Sequence, residues 1–184
     1  MALTATIYRW MIDLSDVDRG VYEKLELRAA MHPSETPLHL VTRVIAYALC
    51  FEDSIAFSPT GVAGSDDPAV MVRALTGELL HAIEIGTPSA DRVHRLSKAC
   101  ARVSIFTHHD PALLIKELQS KKVHKLDTVE AWAVSRPLVE QLSRKLDRTV
   151  HWTLVRSGGE LYVTVGEQTL SGEVAQLTLI ASDR

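Results

Sequence analysis

The chain has 184 residues, 46% of them hydrophobic, with a net charge of −3 and a pI near 6.2. That suits one domain with a sizeable core and excludes a generic, strongly basic nucleic-acid coat, so any contact with nucleic acid must come from a local basic patch. No apolar run approaches the roughly 18 residues that cross a bilayer, the N-terminus alternates where a signal peptide would be continuously apolar, and Cys50 and Cys100 lack CxxC spacing, so the expectation is a cytoplasmic chain with reduced core thiols and no disulfide.

In chain order, residues 3–14 read as a strand, with Thr4, Thr6, Tyr8, Trp10 and Ile12 on one face. Residues 16–20 are turn-rich. Residues 21–31 alternate again, Val21, Glu23, Leu25 and Leu27 against Tyr22, Lys24, Glu26 and Arg28, which predicts a hairpin. Ser34 or Thr36 can cap the next helix, because a side-chain oxygen there meets free backbone N–H groups, and Pro37 suits a first turn. Leu38, Val41, Ile45, Ala48 and Leu49 form an apolar stripe at helical spacing, running to about Phe51, and this helix is expected at the centre of the core.

A short strand at 55–57 precedes a Gly/Ser/Pro/Asp-rich loop at 58–68. Strands are predicted at 70–75 and 79–85 around a turn near Thr76 and Gly77. A helix follows at 89–102, with Val93, Leu96, Cys100 and Val103 inward, then a strand at 104–107, a helix at 111–119 and a strand at 129–134. Pro137 opens a helix carrying Leu138, Leu142 and Leu146. The end is a meander of strands at 150–155, 161–165 and 174–180. Helices and strands without regular βαβ repetition predict a single α/β (α+β) domain over residues 1–184, with a central mixed sheet flanked by helices.

Acidic residues beside Pro or Gly are the ones that could carry chemistry. Glu84 lies in an apolar strand, where a carboxylate is costly unless solvated, paired or bound to metal; an exposed acid at a strand end is the plain structural explanation. Asp66 and Asp67 before Pro68 are ordinary turn chemistry, yet the hairpin connection to Glu84 can bring all three to one sheet end. Glu35 opens the first long helix, where its charge suits the dipole, and it could also add a ligand from the helix side. Mg²⁺ or Mn²⁺ takes oxygen ligands from one to three carboxylates and activates a bound water. Glu35, Asp66, Asp67 and Glu84 are therefore the candidate metal set.

Arg92, Arg95, Lys98 and Arg102 recur at spacings of three and four. They form one basic stripe, read either as a solvated face or as a holder of phosphates. His108, His109 and Asp110 follow a strand end, but neighbours on an extended chain point opposite ways, which argues against one ion shared by both imidazoles. Trp132 and Trp152 are expected in the core.

The stretches Met1-Ala2-Leu3-Thr4-Ala5-Thr6-Ile7-Tyr8, His32-Pro33-Ser34-Glu35-Thr36, Ile83-Glu84-Ile85-Gly86-Thr87-Pro88 and Ile105-Phe106-Thr107 resemble the YaeQ family of bacterial proteins, in order and over nearly the full length. The resemblance implies a variant of the restriction-endonuclease-like, PD-(D/E)-x-K nuclease fold. It also implies an acidic site made from Glu35, an Asp of Asp66-Asp67, and Glu84. Gly86 stands where such a nuclease places its Lys, and Lys98 is the expected substitute. The leading expectation is a Mg²⁺- or Mn²⁺-dependent nuclease with Lys98 or Arg92 supporting the developing charge. The alternative is a non-catalytic protein that contacts nucleic acid or a transcription complex through Arg92, Arg95, Lys98 and Arg102; a third is a scaffold for a protein partner.

Overall fold

A computed structural model describes residues 4–59 and 66–180. Most of the predicted loop at 58–68, and the first residue of the predicted opening strand, Leu3, lie outside them. Strands β1 (Thr6–Asp16) and β2 (Val21–Met31) form the predicted hairpin, paired antiparallel from Thr6 against Met31 to Asp16 against Val21. Their inward residues Trp10, Ile12, Leu14, Leu25 and Leu27 are buried while the alternate positions face out, as a half-buried strand requires. Helix α1 (Pro37–Leu49) starts at Thr36, whose Oγ1 accepts the His39 N–H at 3.2 Å, with Pro37 in the first turn.

Strands β3 (Ile55–Phe57), β4 (Val70–Arg73) and β5 (Leu79–Ile85) follow as an antiparallel set. The strand predicted to run to Leu75 stops at Arg73, where the register with β5 shifts, and Leu75 is fully exposed in the turn beyond. Next come α2 (Ala90–Ala99), β6 (Arg102–Thr107), α3 (Pro111–Gln119), β7 (Glu130–Val134), α4 (Arg136–Ser143), β8 (Thr149–Ser157), β9 (Glu160–Val165) and β10 (Gln168–Gln176). The helix predicted over 89–102 is thus shorter. Cys100 is already extended, and Arg102 opens the strand that runs parallel to β5. The last strand begins earlier than predicted, because Gly166, at φ +62°, folds β9 back onto β10 through a two-residue turn.

The result is a mixed α+β architecture around one sheet of ten strands, in the order β2-β1-β8-β9-β10-β7-β6-β5-β4-β3. Helix α1 touches both β2 and β3, which end that order, so the sheet curls nearly into a barrel around it. Ten of the thirteen α1 residues are buried, from Leu40 to Leu49. The main core joins α1 and α4 to the concave face, including Trp10, Trp152, Ile83 and Phe106. A smaller core packs α2 and α3 on the other face of β5, β6 and β7, through Val93, Leu96, Ile105 and Leu114. Trp152 is buried as expected, whereas Trp132 is only partly so. Both cysteines are free thiols, and among the described residues no helix is long and apolar enough to cross a membrane.

Candidate functional site

Strands β5, β6 and β7 run parallel, and their C-terminal ends meet the start of α1 and the residues before β4. In open α/β sheets this is the edge where ligands gather. Glu84, near the end of β5, points to the α2 face and is only 6% exposed. The chain leaves β5 through Gly86, which adopts φ +85° and donates its N–H to the Phe106 carbonyl at 2.8 Å. That conformation suits Gly and strains a Lys, which accounts for the residue standing there. Ser89 then caps α2 by accepting the Arg92 N–H at 3.2 Å.

This cap places Arg92 directly over Glu84. Arg92 Nε donates to Glu84 Oε2 at 3.0 Å and Nη2 donates to Oε1 at 2.8 Å, a two-point fork. Nη2 also donates to the Asp67 carbonyl at 2.8 Å. The hydrogen bond to Glu84 is the main influence raising the Arg92 pKa, and the charges of Asp66 and Asp67 add to it. Asp67 itself accepts from Arg73 Nη2 at 2.8 Å. The fold therefore brings Asp66, Asp67 and Glu84 toward one guanidinium. Lys98 lies six residues further along α2, about 9 Å down the axis, and is exposed. The cation at Glu84 is Arg92.

Glu35 sits in a different set of partners. Its side chain is fully buried and accepts from Arg43 Nε at 3.0 Å, Arg43 Nη2 at 2.9 Å and His39 Nδ1 at 2.7 Å. Arg43 also donates to the Ala30 carbonyl at 2.8 Å, tying α1 to β2. One turn on, Thr42 spends its hydroxyl hydrogen on the Leu38 carbonyl at 2.8 Å, so it can only accept from His108 Nδ1 at 3.0 Å. His108 therefore carries its proton on Nδ1 and a lone pair on Nε2. Burial, and then the charges of His109, His39 and Arg136, push its pKa down to about 4.

That shift has a definite consequence for stability. Above the ordinary imidazole value of 6.5 both folded and unfolded chains leave this ring neutral. As pH falls from there toward 4, the unfolded chain takes up a proton that the folded chain refuses, so stability is lost across that window. Urea titrations at pH 7 and pH 4.5 should show a His108→Gln variant escaping about 2 kcal/mol of the wild-type loss. An equal loss in both would mean that His108 is not the responsible group.

The predicted basic stripe is divided by the fold. Arg92 belongs to Glu84, and Arg102, on β6, donates to Glu52 Oε1 at 2.6 Å. Arg95 and Lys98 remain exposed on α2, and a second run joins them. The loop after α3 lies against α2, where the His124 N–H donates to His94 Nδ1 at 3.2 Å and Lys121 pairs with Asp91 at 2.6 Å. This brings the segment carrying the exposed Lys122 and Lys125 against the helix that carries the exposed Arg95 and Lys98. The Lys-Lys-Val-His-Lys run at 121–125 was the sequence signal for that surface, and helical spacing alone does not find it.

Of the four candidate carboxylates, Glu84 and Glu35 are each forked by their own arginine. Among the described residues no group of three or more His, Cys, Asp or Glu side chains is arranged to hold a metal ion.

Comparison with known proteins agrees with this architecture. The family model described as "YaeQ protein" matches residues 1–174. An uncharacterised YaeQ protein of Escherichia coli K12 is 27% identical over 172 residues, covering 92% of this chain and 94% of its own. The crystal structure of the YaeQ protein from Pseudomonas syringae superposes with a TM-score of 0.86 at 30% identity, covering 95% of this chain and 96% of its own. That from Xanthomonas axonopodis pv. citri gives 0.84 at 24% identity, covering 94% and 98%, and speaks for the fold alone.

Proposed function

This chain belongs to the YaeQ family, and from that premise we propose that it is a non-catalytic nucleic-acid-binding protein on a nuclease-like framework. The run α1-β3-β4-β5-α2-β6, with β4 and β5 antiparallel and β5 and β6 parallel, supports a restriction-endonuclease-like core. The observation that carries the reading is the Arg92 fork on Glu84, which places a guanidinium where a cleaving site needs an open carboxylate. Contact with the phosphate backbone then falls to Arg95, Lys98, Lys122 and Lys125, a local patch on an acidic protein.

Fluorescence anisotropy with labelled DNA and RNA should give binding that weakens steeply with salt. Reversing Arg95, Lys98, Lys122 and Lys125 to Glu should cost at least about tenfold in affinity. Affinity unchanged by the four reversals would reject the patch.

A second reading is a Mg²⁺- or Mn²⁺-dependent nuclease using Glu35, Asp66, Asp67 and Glu84 with Lys98. It is favoured by the approach of Asp66, Asp67 and Glu84 to the same guanidinium. It requires cleavage of the same nucleic acids in Mn²⁺ and its loss in Glu84→Ala, whereas the binding reading requires intact substrate throughout.

A further inference from the structure

At the opposite ends of β5, β6 and β7 the sheet face is polar where an apolar core would be expected. Helix α1 stops at Leu49, and beyond it a cavity opens, lined by Arg19, His81, Arg102, Glu130, Trp132 and Arg156 among others. A hydrogen-bonded row crosses its floor. Glu52 Oε1 lies 3.4 Å from His81 Nδ1, His81 Nε2 lies 2.8 Å from Ser104 Oγ, and that hydroxyl donates to Glu130 Oε2 at 3.4 Å. One residue from each of three adjacent strands, with Glu52 from the loop after α1, supplies the row.

Arg156 is the unexplained member. It is only 9% exposed, and its guanidinium stacks 4.9 Å over the Trp132 ring. Its Nε is buried with no hydrogen-bond partner. The nearest carboxylates stand off: Nη1 is 3.8 Å from Asp16 Oδ2, and Nε is 3.4 Å from Asp18 Oδ2. Asp18 is committed elsewhere, accepting the Gly158 and Gly159 N–H groups at 2.8 and 3.4 Å. Asp16 is fully buried, and Arg19 Nη1 flanks its Oδ2 at the same 3.8 Å. Arg19 spends Nη1 and Nη2 on the Leu49 and Phe51 carbonyls at 2.7 and 2.9 Å, and Arg102 spends Nη2 on Glu52. Among the described residues lining the cavity, Arg156 is the arginine whose guanidinium makes no side-chain hydrogen bond, although Asp16, whose Oδ2 is likewise unbonded, and Asp18 stand at ion-pair distance. Buried donors left without acceptors are costly, and a guanidinium fork matches a carboxylate or phosphate in particular.

We propose that this cavity binds a small molecule through an oxyanion, carboxylate or phosphate, forked by Arg156 against Trp132, with Arg19 and Arg102 at its sides. Glu52 and Glu130 face the same space, so the bound acid carries a hydroxyl or amino hydrogen for them to accept. Cys50 lines the cavity but stays a thiol, since burial pushes its pKa up to about 12. The site lies at the other end of the strands from Glu84 and does not depend on the nucleic-acid reading.

The test is a titration of the intact protein with lactate and, separately, with inorganic phosphate, followed by tryptophan fluorescence and by amide chemical shifts. At least one should saturate, with the largest shifts around Gly158, Arg156 and Trp132 and a fluorescence response lost in Trp132→Phe. Arg156→Gln should weaken that binding at least tenfold, and Lys24→Gln, at an exposed position on β2, should not. Lactate binding alone identifies a carboxylate ligand, and phosphate binding alone a phosphorylated one. Saturation by neither, shifts centred instead on α2 and residues 121–125, or equal affinity in a folded Arg156→Gln protein would each overturn the proposal. Should Arg156→Gln fail to fold, the wild-type shift map decides.

Discussion

Arg43→Met is expected to lose about 3–5 kcal/mol of stability, read as a fall in the urea midpoint at neutral pH. The Glu35 and Arg43 side chains are 0% and 1% exposed, so the pair has no water to fall back on. Burial alone pulls the Arg43 pKa down, and the Glu35 charge and hydrogen bonds oppose it. Removing the guanidinium strands a buried carboxylate with only His39 beside it, and also frees the Ala30 carbonyl. A whole domain is stable by only about 5–15 kcal/mol, so the loss is visible at once. The double variant Glu35→Gln/Arg43→Met should recover part of it, because the stranded charge is gone. The result also bears on function. If Arg43→Met costs less than about 1 kcal/mol, Glu35 is not committed to Arg43 and becomes available as a metal ligand, which would favour the nuclease reading.

Much of the fold was legible because periodicity reports burial. The β1–β2 hairpin follows from the alternation at 21–31, and the central position of α1 follows from its apolar stripe. Boundaries were legible only where a local signal marks them. Thr36 and Ser89 cap their helices through their own side chains, whereas the end of α2 at Ala99 is set by the need to bring Arg102 beside His81 in a parallel pair. No residue near Cys100 announces that need. The start of β10 was missed although Gly166 marked the turn, since Gln168 to Gly172 is too polar to read as a strand.

The approach of three of the candidate carboxylates was legible in the sequence, and their bonding was not. Sequence order indicated that Asp66, Asp67 and Glu84 could reach one sheet end, and the Arg92 guanidinium sits among them. Sequence spacing could not show that Arg92, eight residues beyond Glu84, returns over it, because that depends on the Gly86 turn. Nor could it show that Glu35 is closed off by Arg43, two helical turns away. His108 and Arg156 acquire meaning only through distant partners, Thr42 in one case and Trp132 in the other.

Gly172→Ala is expected to be the other severe substitution, at about 2–3 kcal/mol. The backbone there is ordinary extended strand, so conformational strain is not the reason. A Cβ at this position would lie 2.6 Å from Ser135 Cβ, 2.7 Å from its Oγ and 2.9 Å from Leu138 Cβ. These are not the flexible ends of side chains. Ser135 caps α4, its N–H donates to the Glu173 carbonyl at 2.9 Å, and Leu138 is fully buried. Relief therefore requires α4 to move off β10, just where β10 passes from pairing with β9 to pairing with β7. Removing a Gly also stiffens the unfolded chain, which returns about 0.4–1 kcal/mol and keeps the net loss from being larger. Ser135→Gly costs only a few tenths of a kcal/mol as a cap and removes two of the three clashes. The pair Gly172→Ala/Ser135→Gly should accordingly recover most of the stability lost by Gly172→Ala alone in thermal unfolding. No recovery would locate the clash at Leu138, and a Gly172→Ala protein as stable as wild type would mean that α4 does not pack this close to the sheet.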